Sequence, residues 1–502
     1  MIDFTAFASA TDLLFGAWQP WLAVPPGLII GLVFGAVPGL SVPVAMAVFL
    51  PLTSYMDFLS AMLFLTAIFT GGSFGGAIPA ILMNVPGTAS AVATAFDGYP
   101  MARQGRHSAA LGLALAASTV GTAIGYVILF CFVSPIAEAV LMLGPVEMFV
   151  IAAWGLTLIA ALGQGSFAKG LLAGLLGVLI GTIGMSARGD VRGTGGSMML
   201  LDGVAAIPAL IGLFAASELF RLIRSNYIVE DEGSRRLDFG AILRGMGAAF
   251  RYPGVLIRGS LIGVIIGAIP GVGSSVANLV SYSETQRRAK DSSQFGKGDP
   301  RGVVASESAN SSSEGGSMAT LLALGIPGGG ATAEMLGAFA MHNITGGPRF
   351  IGENKDLIYA IILGNFAQVG LLLVLGLGFV FIATGIVRVP VRYLVPSVIV
   401  LSIYGSFSLV GNMVGPVTVL VFAIIGWMMR RHTYPVAATV IGILLGRMAE
   451  GELLRSYQIS GGDIGFILSR PIAMVLFLLL LVSLLYPLLQ ARGGSFFKRR
   501  AA

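Results

Sequence analysis

Two short turns carry the residue types in this chain best suited to holding a small charged molecule. The first is Asn84-Val-Pro-Gly-Thr-Ala-Ser90 and the second is Gly325-Ile-Pro-Gly-Gly-Gly-Ala-Thr332, each at the end of an apolar run. Proline removes a backbone donor and glycine tolerates unusual angles, so a helix entering either turn must break there. A helix restarting beyond the break offers free N–H groups and the positive end of its dipole, worth up to about 2 kcal/mol toward a partly buried anion. Carbonyls released at the preceding helix end suit a cation. Asn84, Pro86, Gly87, Thr88 and Ser90, with Pro327, Gly328, Gly329 and Thr332, are therefore the expected contacts of a carboxylate. The side chains of Asn84, Thr88, Ser90 and Thr332 would add hydrogen bonds.

The elements that present these turns must be membrane helices. Of 502 residues, 56% are apolar and only 11% are charged, where a soluble globular chain is about a quarter charged. This excludes a soluble enzyme, a disordered chain, a coiled coil and a disulfide scaffold. Cys131 is the only cysteine, so no internal disulfide forms. The 70 glycines and 23 prolines suit close helix packing and helices broken inside the bilayer. Broken backbone is tolerated in lipid only where protein or a wet cavity covers it.

The net charge of +6 does not mark a nucleic-acid surface. No Lys or Arg precedes Arg103, and the later ones fall in short groups between apolar runs. That is the pattern of loops that set topology. It places Arg221–Arg258, Arg430/Arg431 and Lys498-Arg-Arg500 on the cytoplasmic side, with Arg103, Arg106 and Lys169 inside by alternation. The N-terminal segment, with Asp3 and Asp12, then falls outside, together with Arg188, Arg192 and Lys355. No removable signal peptide is expected.

The chain also repeats itself. Gly27-Leu-Ile-Ile-Gly-Leu-Val-Phe-Gly-Ala-Val-Pro-Gly39 aligns on Gly259-Ser-Leu-Ile-Gly-Val-Ile-Ile-Gly-Ala-Ile-Pro-Gly271, with 7 of 13 positions identical at an offset of 232. The two Pro-Gly turns follow at an offset of 241, Pro86 against Pro327, and the extra 9 residues fit the hydrophilic stretch around Asp291–Pro300. Gly31/Gly35 and Gly263/Gly267 read as helix-packing faces.

The expected fold is an all-α polytopic membrane protein of two inverted repeats with broken or re-entrant hairpins and roughly 10–14 membrane segments. Residues 1–224 form the first repeat, with a hairpin near 58–90, and 225–258 a charged cytoplasmic linker. Residues 259–492 form the second repeat, with a hairpin near 307–340, and 493–502 a basic cytoplasmic tail.

Ionisable side chains near the hairpins are few: Glu307, Glu314 and Glu334 around the second, Asp57 and Asp97 around the first. An acid at membrane depth is costly and is a functional candidate by default. Glu314 and Glu307 are the candidates for a coupling ion, although Glu307 follows a charged loop and Asp97 begins one, positions that suit solvated helix ends. His107, His342 and His432 are scattered, and there is no His-Glu-x-x-His, cysteine pair or Walker A sequence. No catalytic residue, metal ligand or bound cofactor is assigned. Without an ATPase motif, transport would draw on an ion gradient.

Three blocks carry a resemblance: Gly31…Gly35-Ala-Val-Pro-Gly39, Asn84-Val-Pro-Gly…Phe96-Asp-Gly-Tyr-Pro-Met-Ala102, and Glu307-Ser-Ala-Asn310…Gly315-Gly316…Leu324-Gly-Ile-Pro-Gly328…Ala331-Thr332. Across nearly its whole length the chain resembles the large membrane subunit of the tripartite tricarboxylate transporter family. It departs from the family pattern at Ser306, Ser311, Ala319-Thr320 and Gly329, all on the second hairpin. The resemblance implies a bacterial inner-membrane symporter taking up a di- or tricarboxylate such as citrate, driven by Na⁺ or H⁺. It also implies two partners, a small membrane subunit and a periplasmic solute-binding protein, and it adds Asn310 to the substrate contacts. The alternatives are an anion-selective channel or a membrane scaffold without active transport.

Overall fold

The computed structural model describes residues 3–38, 40–162, 167–186, 189–222, 237–386, 391–463 and 470–498. The chain begins with α1 (Phe4–Phe15), α2 (Gln19–Ala36) and α3 (Val42–Phe49), then α4 (Phe58–Gly75), which continues through Gly76 as α5 (Ala77–Met83). Beyond the first turn come α6 (Val92–Met101), α7 (His107–Val140), α8 (Pro145–Leu162) and α9 (Phe167–Gly181). A two-residue antiparallel pair follows, β1 (Gly184–Met185) with β2 (Val191–Arg192), then α10 (Ala206–Ile211) and α11 (Ser217–Leu222).

The second half opens with α12 (Phe239–Ala249), α13 (Pro253–Gly267), α14 (Gly273–Arg288) and α15 (Pro300–Leu324). After the second turn run α16 (Gly330–Met341), α17 (Pro348–Glu353), α18 (Lys355–Ile386), α19 (Val391–Val410), α20 (Val414–Arg431), α21 (Val436–Ile459) and α22 (Pro471–Lys498).

The protein is an all-α polytopic membrane protein. Among the described residues, five helical segments are long and apolar enough to cross a bilayer: Gln19–Ala36, Phe58–Met83, Ala89–Leu141, Lys355–Ile382 and Val414–Arg431. α12 and α13 pass the same test as a pair bent by 77°, and further apolar helices of 10–17 residues accompany them. Full-length spans are thus fewer than the apolar runs, because Gly and Pro cut many runs short. The outer helices turn leucine-rich faces outward, including Leu172, Leu176 and Leu179 on α9 and Leu478, Leu481 and Leu485 on α22. Such a surface is stable only against lipid or another apolar partner.

The sequence repeat is also a packing repeat. α2 lies on α4 so closely that a Cβ on Gly31 or Gly35 would come within 2.3 and 2.5 Å of the carbonyl oxygens of Ile68 and Gly72. α13 lies on α15 in the same way: a Cβ on Gly263 or Gly267 would come within 2.4 and 2.2 Å of the Ala309 and Ser313 oxygens. Ile68 and Ala309, like Gly72 and Ser313, differ by the 241 residues that separate the two turns. The glycines are therefore packing faces, as expected from small residues spaced by four. Gly39, which closes the first motif, lies outside the described residues.

α15 is the central helix. It is buried almost throughout although its middle is Ser306-Glu-Ser-Ala-Asn-Ser-Ser-Ser-Glu314, which only enclosure by α4, α6, α7, α13 and α14 allows at this depth. The expected linker is partly ordered structure. Residues 223–236 and 499–502 lie outside the described residues, but α12 packs on α7, where a Cβ on Gly245 would meet the Ala109 oxygen at 2.2 Å. Ile242 and Ala249 on α12 are fully buried at helical spacing, an apolar face that the charge of this segment masks.

Asp97 corrects an expectation. It is completely buried rather than solvated, because its carboxylate accepts the Gly298 and Asp299 N–H groups at 2.9 Å each and the Tyr282 hydroxyl at 2.9 Å. Arg106 and Gln104 donate to the Gly298 and Lys297 carbonyls at 2.9 and 2.8 Å. The hydrophilic insertion of the second half is thus tied to the first half. Asp97→Ala is expected to cost about 3 kcal/mol or more, since bonds to a charged group contribute about 1.5–3 kcal/mol each. Trypsin added to solubilised protein should then cut faster at Lys290 and Lys297; an unchanged digestion rate would refute the tether.

Candidate functional site

Both turns are built alike. α5 ends at Asn84 in the left-handed region (φ 59°) and α15 ends at Gly325 in the same region (φ 67°). Asn and Gly are the residues that adopt this helix-ending conformation at low cost, and Pro two residues later prevents the helix from resuming. Each turn then folds back on its own repeat. A Cβ on Gly87 would come within 2.0 Å of the Gly35 oxygen, and one on Gly328 within 2.6 Å of the Gly267 oxygen.

The helices that follow cross over between repeats. The short helical turn Ala89–Ala91 and α6 pack on α14, whereas α16 packs on α3. Asn278 on α14 fixes the first crossing: its side-chain oxygen accepts the Ala93 N–H at 2.8 Å and its amide donates to the Ser306 carbonyl at 3.2 Å.

Within the turns, the expected ligands are engaged locally. Thr88 and Ser90 are buried and their hydroxyls share a hydrogen bond of 3.0 Å. Thr332 accepts the Gly329 N–H at 3.0 Å and donates to the Gly329 carbonyl at 3.1 Å, capping α16. Asn84 is exposed and Pro86 half-buried, while Pro327 and Gly328 are buried. No hydrogen bond among the described residues joins 84–90 to 325–332, so each turn contacts helix ends rather than the other turn's polar groups.

Convergence occurs instead along α15. Glu307, Asn310 and Glu314 are spaced by three and four residues and therefore share one helix face. Glu307 is fully buried, not solvated, because the first repeat supplies its donors: the Thr94 hydroxyl, and the Ser118 hydroxyl at 2.9 Å. Glu314 accepts from the Tyr126 hydroxyl at 2.6 Å and from the Thr70 hydroxyl at 2.9 Å to both oxygens. Between them the Asn310 amide donates to the Ser73 carbonyl at 3.0 Å, leaving its side-chain oxygen buried without a partner, as is the Ser311 hydroxyl. Close by on α4, Gln368 of α18 donates to the Leu63 carbonyl and the Thr66 hydroxyl at 3.0 Å each, and its own oxygen is unpartnered.

Among the described residues no basic side chain reaches Glu307 or Glu314, so only neutral dipoles face them: hydroxyls, joined at Glu307 by the Asn310 side chain. A carboxylate so placed is stable only if a proton or a cation joins it. The acids are legible in the sequence, but Thr70, Thr94, Ser118, Tyr126 and Gln368 are not. A partial signal existed: Ser118, Thr122 and Tyr126 form a stripe at intervals of four in an otherwise apolar run.

Two matched helix breaks, one of them ending a largely buried helix that carries two enclosed carboxyl groups, within an all-α chain that faces lipid, define a polytopic membrane protein of two like halves. Residues 22–441 match the Tripartite tricarboxylate transporter TctA family. The chain belongs to that family, and is thus a membrane component of tripartite tricarboxylate transporters. An uncharacterized 52.8 kDa protein from the TAR-I ttuC' 3' region of Agrobacterium vitis is 32% identical over 451 residues, 89% of each chain. A second uncharacterized protein, from the TAR-II ttuC' 3' region of the same organism, is 32% identical over 229 residues, 46% of this chain and 95% of its own. No solved structure matches.

Proposed function

We propose that this protein is an ion-gradient-driven secondary transporter that imports an organic acid, a di- or tricarboxylate such as citrate, across the bacterial inner membrane. In this reading a periplasmic binding protein delivers the substrate, a small membrane subunit completes the complex, and Na⁺ or H⁺ supplies the driving force. The two repeats are inverted, with the N-terminus periplasmic and the C-terminus cytoplasmic. The observation that carries the reading is the acidic face of α15. Two fully buried carboxyl groups, held by hydroxyls of the other repeat, lie on one of the two helices that break at matched positions. A charge at a repeat interface couples ion loading to movement of one repeat against the other. Backbone N–H groups at the restarting helices then serve the substrate, which explains why few cationic side chains are needed.

Pairing across the sequence supports which segments share a side. Lys355 meets Asp3 at 3.4 Å, as two groups assigned to the outside should. Lys169 donates to the His432 carbonyl and Thr433 hydroxyl at 2.7 Å each, beside Arg430 and Arg431, all assigned to the inside.

The test is uptake of labelled di- and tricarboxylates by cells expressing the chain with its partners, with and without a sodium gradient. Accumulation of at least one acid above its external concentration is expected. Failure of every acid to accumulate would refute the assignment.

A further inference from the structure

A third acid stands apart from the pair on α15. Glu334 lies on α16, one turn past the second break, and is completely buried. Among the described residues both of its carboxyl oxygens lack any hydrogen-bond partner, whereas Glu307 and Glu314 each hold two hydroxyl donors. Its direction follows from the glycines that share its helix face, four residues before and three after. A Cβ on Gly330 would meet the side chains of Pro43 at 2.8 Å and Phe214 at 3.5 Å; one on Gly337 would meet Leu50 at 3.0 Å and Ile207 and Leu210 at 3.7 Å. Glu334 therefore projects into the seam between α16 and the wall formed by α3, α10 and the π-helical turn Gly212–Ala216.

Among the described residues no charge awaits it there. α3, α10 and the turn after it contain no ionisable residue, and α4 has none beyond its cap Asp57, which is bonded to Ser60. The 3-10 turn Leu50–Tyr55 carries Tyr55, which is exposed and bonded to Ser408. On α15, Glu307 and Glu314 face the hydroxyls of α4, α6 and α7. On α21, Arg447 binds the Gly181 and Asp202 carbonyls, Glu450 pairs with Arg192, Glu452 pairs with Arg455, and Tyr457 lies near the far end. On α16 itself, His342 at the C-terminal end meets the Thr53 carbonyl. The repeat counterpart of Glu334, 241 residues earlier, is Ala93, so nothing in the duplicated packing requires an acid here.

We propose that Glu334 is a proton-carrying site of the transport cycle, neutral while α16 is closed against α3 and α10 and ionised when that seam opens to water. The inference rests on the secondary-transport reading above. In the opening step the carboxyl O–H bond breaks and its proton passes to water, leaving a hydrated carboxylate; closure requires a proton to return from water. A proton suits the site better than a metal ion, because Pro43, Leu50, Leu210 and Phe214 offer no oxygen ligands and hard cations demand several. An anionic Glu334 in the closed seam would bear an uncompensated desolvation penalty, so the seam closes only on the loaded form.

The experiment pairs two readouts on the chain reconstituted in liposomes with its partner subunits. Infrared difference spectra of wild type against Glu334→Gln should isolate one protonated-carboxyl band at neutral pH, absent in the variant and retained in Glu334→Asp. Uphill carboxylate uptake driven by a pH gradient should be lost in Glu334→Gln while exchange of labelled for unlabelled substrate persists. Should Glu334→Gln fail to fold, Glu334→Met, which fills the same apolar seam, takes its place. Absence of the band from wild type, its survival in the variant, or full pH-driven uptake by the variant overturns the proposal. A band that behaves as expected in a protein that accumulates no carboxylate refutes the transporter reading and leaves a proton site without that role.

Discussion

Replacing Gly35 with valine is expected to prevent the protein from reaching its native packing, whereas Gly378→Ala leaves it intact. The Gly35 Cα faces backbone on two sides: a Cβ there would lie 2.5 Å from the Gly72 oxygen and 3.0 Å from the Gly76 nitrogen, and the Gly87 turn presses on the Gly35 carbonyl. Backbone cannot rotate aside as a flexible side chain can. Overpacking of a well-filled interior costs about 1–3 kcal/mol when side chains can shift and more when they cannot. A valine at Gly35 would have to force α2 from α4 and displace the first turn together. Gly378 has no atom within 4 Å of its would-be Cβ, so alanine there controls for loss of glycine as such. Gly267→Val should reproduce the defect, since a Cβ at Gly267 would sit 2.2 Å from the Ser313 oxygen. The measurement is the monodisperse fraction on size-exclusion chromatography after extraction from membranes. Wild-type behaviour of either valine variant would show that the close approaches are not required.

Glu314→Gln is expected to yield a folded protein that has lost concentrative uptake. Glutamine keeps the shape of the side chain and an oxygen that accepts from Tyr126 and Thr70, but it can neither take up a proton nor hold a cation's charge. Folding therefore survives while coupling does not. Tyr126→Phe should separate structure from coupling by removing the 2.6 Å bond alone, at a cost of about 1–3 kcal/mol for leaving a buried acceptor one donor short. If the pair serves only to hold α7 against α15, both variants lower the melting temperature and neither changes uptake per folded molecule. If Glu314 carries charge through the cycle, Glu314→Gln abolishes uptake at nearly unchanged stability, and Tyr126→Phe shifts the ion dependence of transport instead. Uptake normalised to folded protein, with thermal melting of the purified variants, distinguishes the two.

Much of the architecture was legible in the chain. The lipid environment follows from composition, and the duplication from Gly27–Gly39 against Gly259–Gly271. The two breaks were placed correctly at Asn84–Gly87 and Gly325–Gly328 because helix ending is a local matter: a proline and a residue tolerant of positive φ settle it within a few positions. The small-residue faces Gly31/Gly35 and Gly263/Gly267 were legible for the same reason, since spacing by four fixes the face whatever lies opposite.

The state of each acid was not legible. Asp97 and Glu307 read as solvated helix ends because each sits next to charge in the sequence, yet each is fully enclosed in the fold. The groups that enclose them are remote. Gly298 reaches Asp97 across 201 residues, Ser118 reaches Glu307 across 189, and Thr70 reaches Glu314 across 244. Backbone preference acts over a few residues and is written in their order. Solvation depends on every atom within a few ångströms, and in a duplicated protein whose halves interlock those atoms come from the other half. The sequence thus established the membrane class, the repeat and the breaks; folding settled that Glu307 and Glu314 meet hydroxyls of the first repeat and that Glu334 meets none.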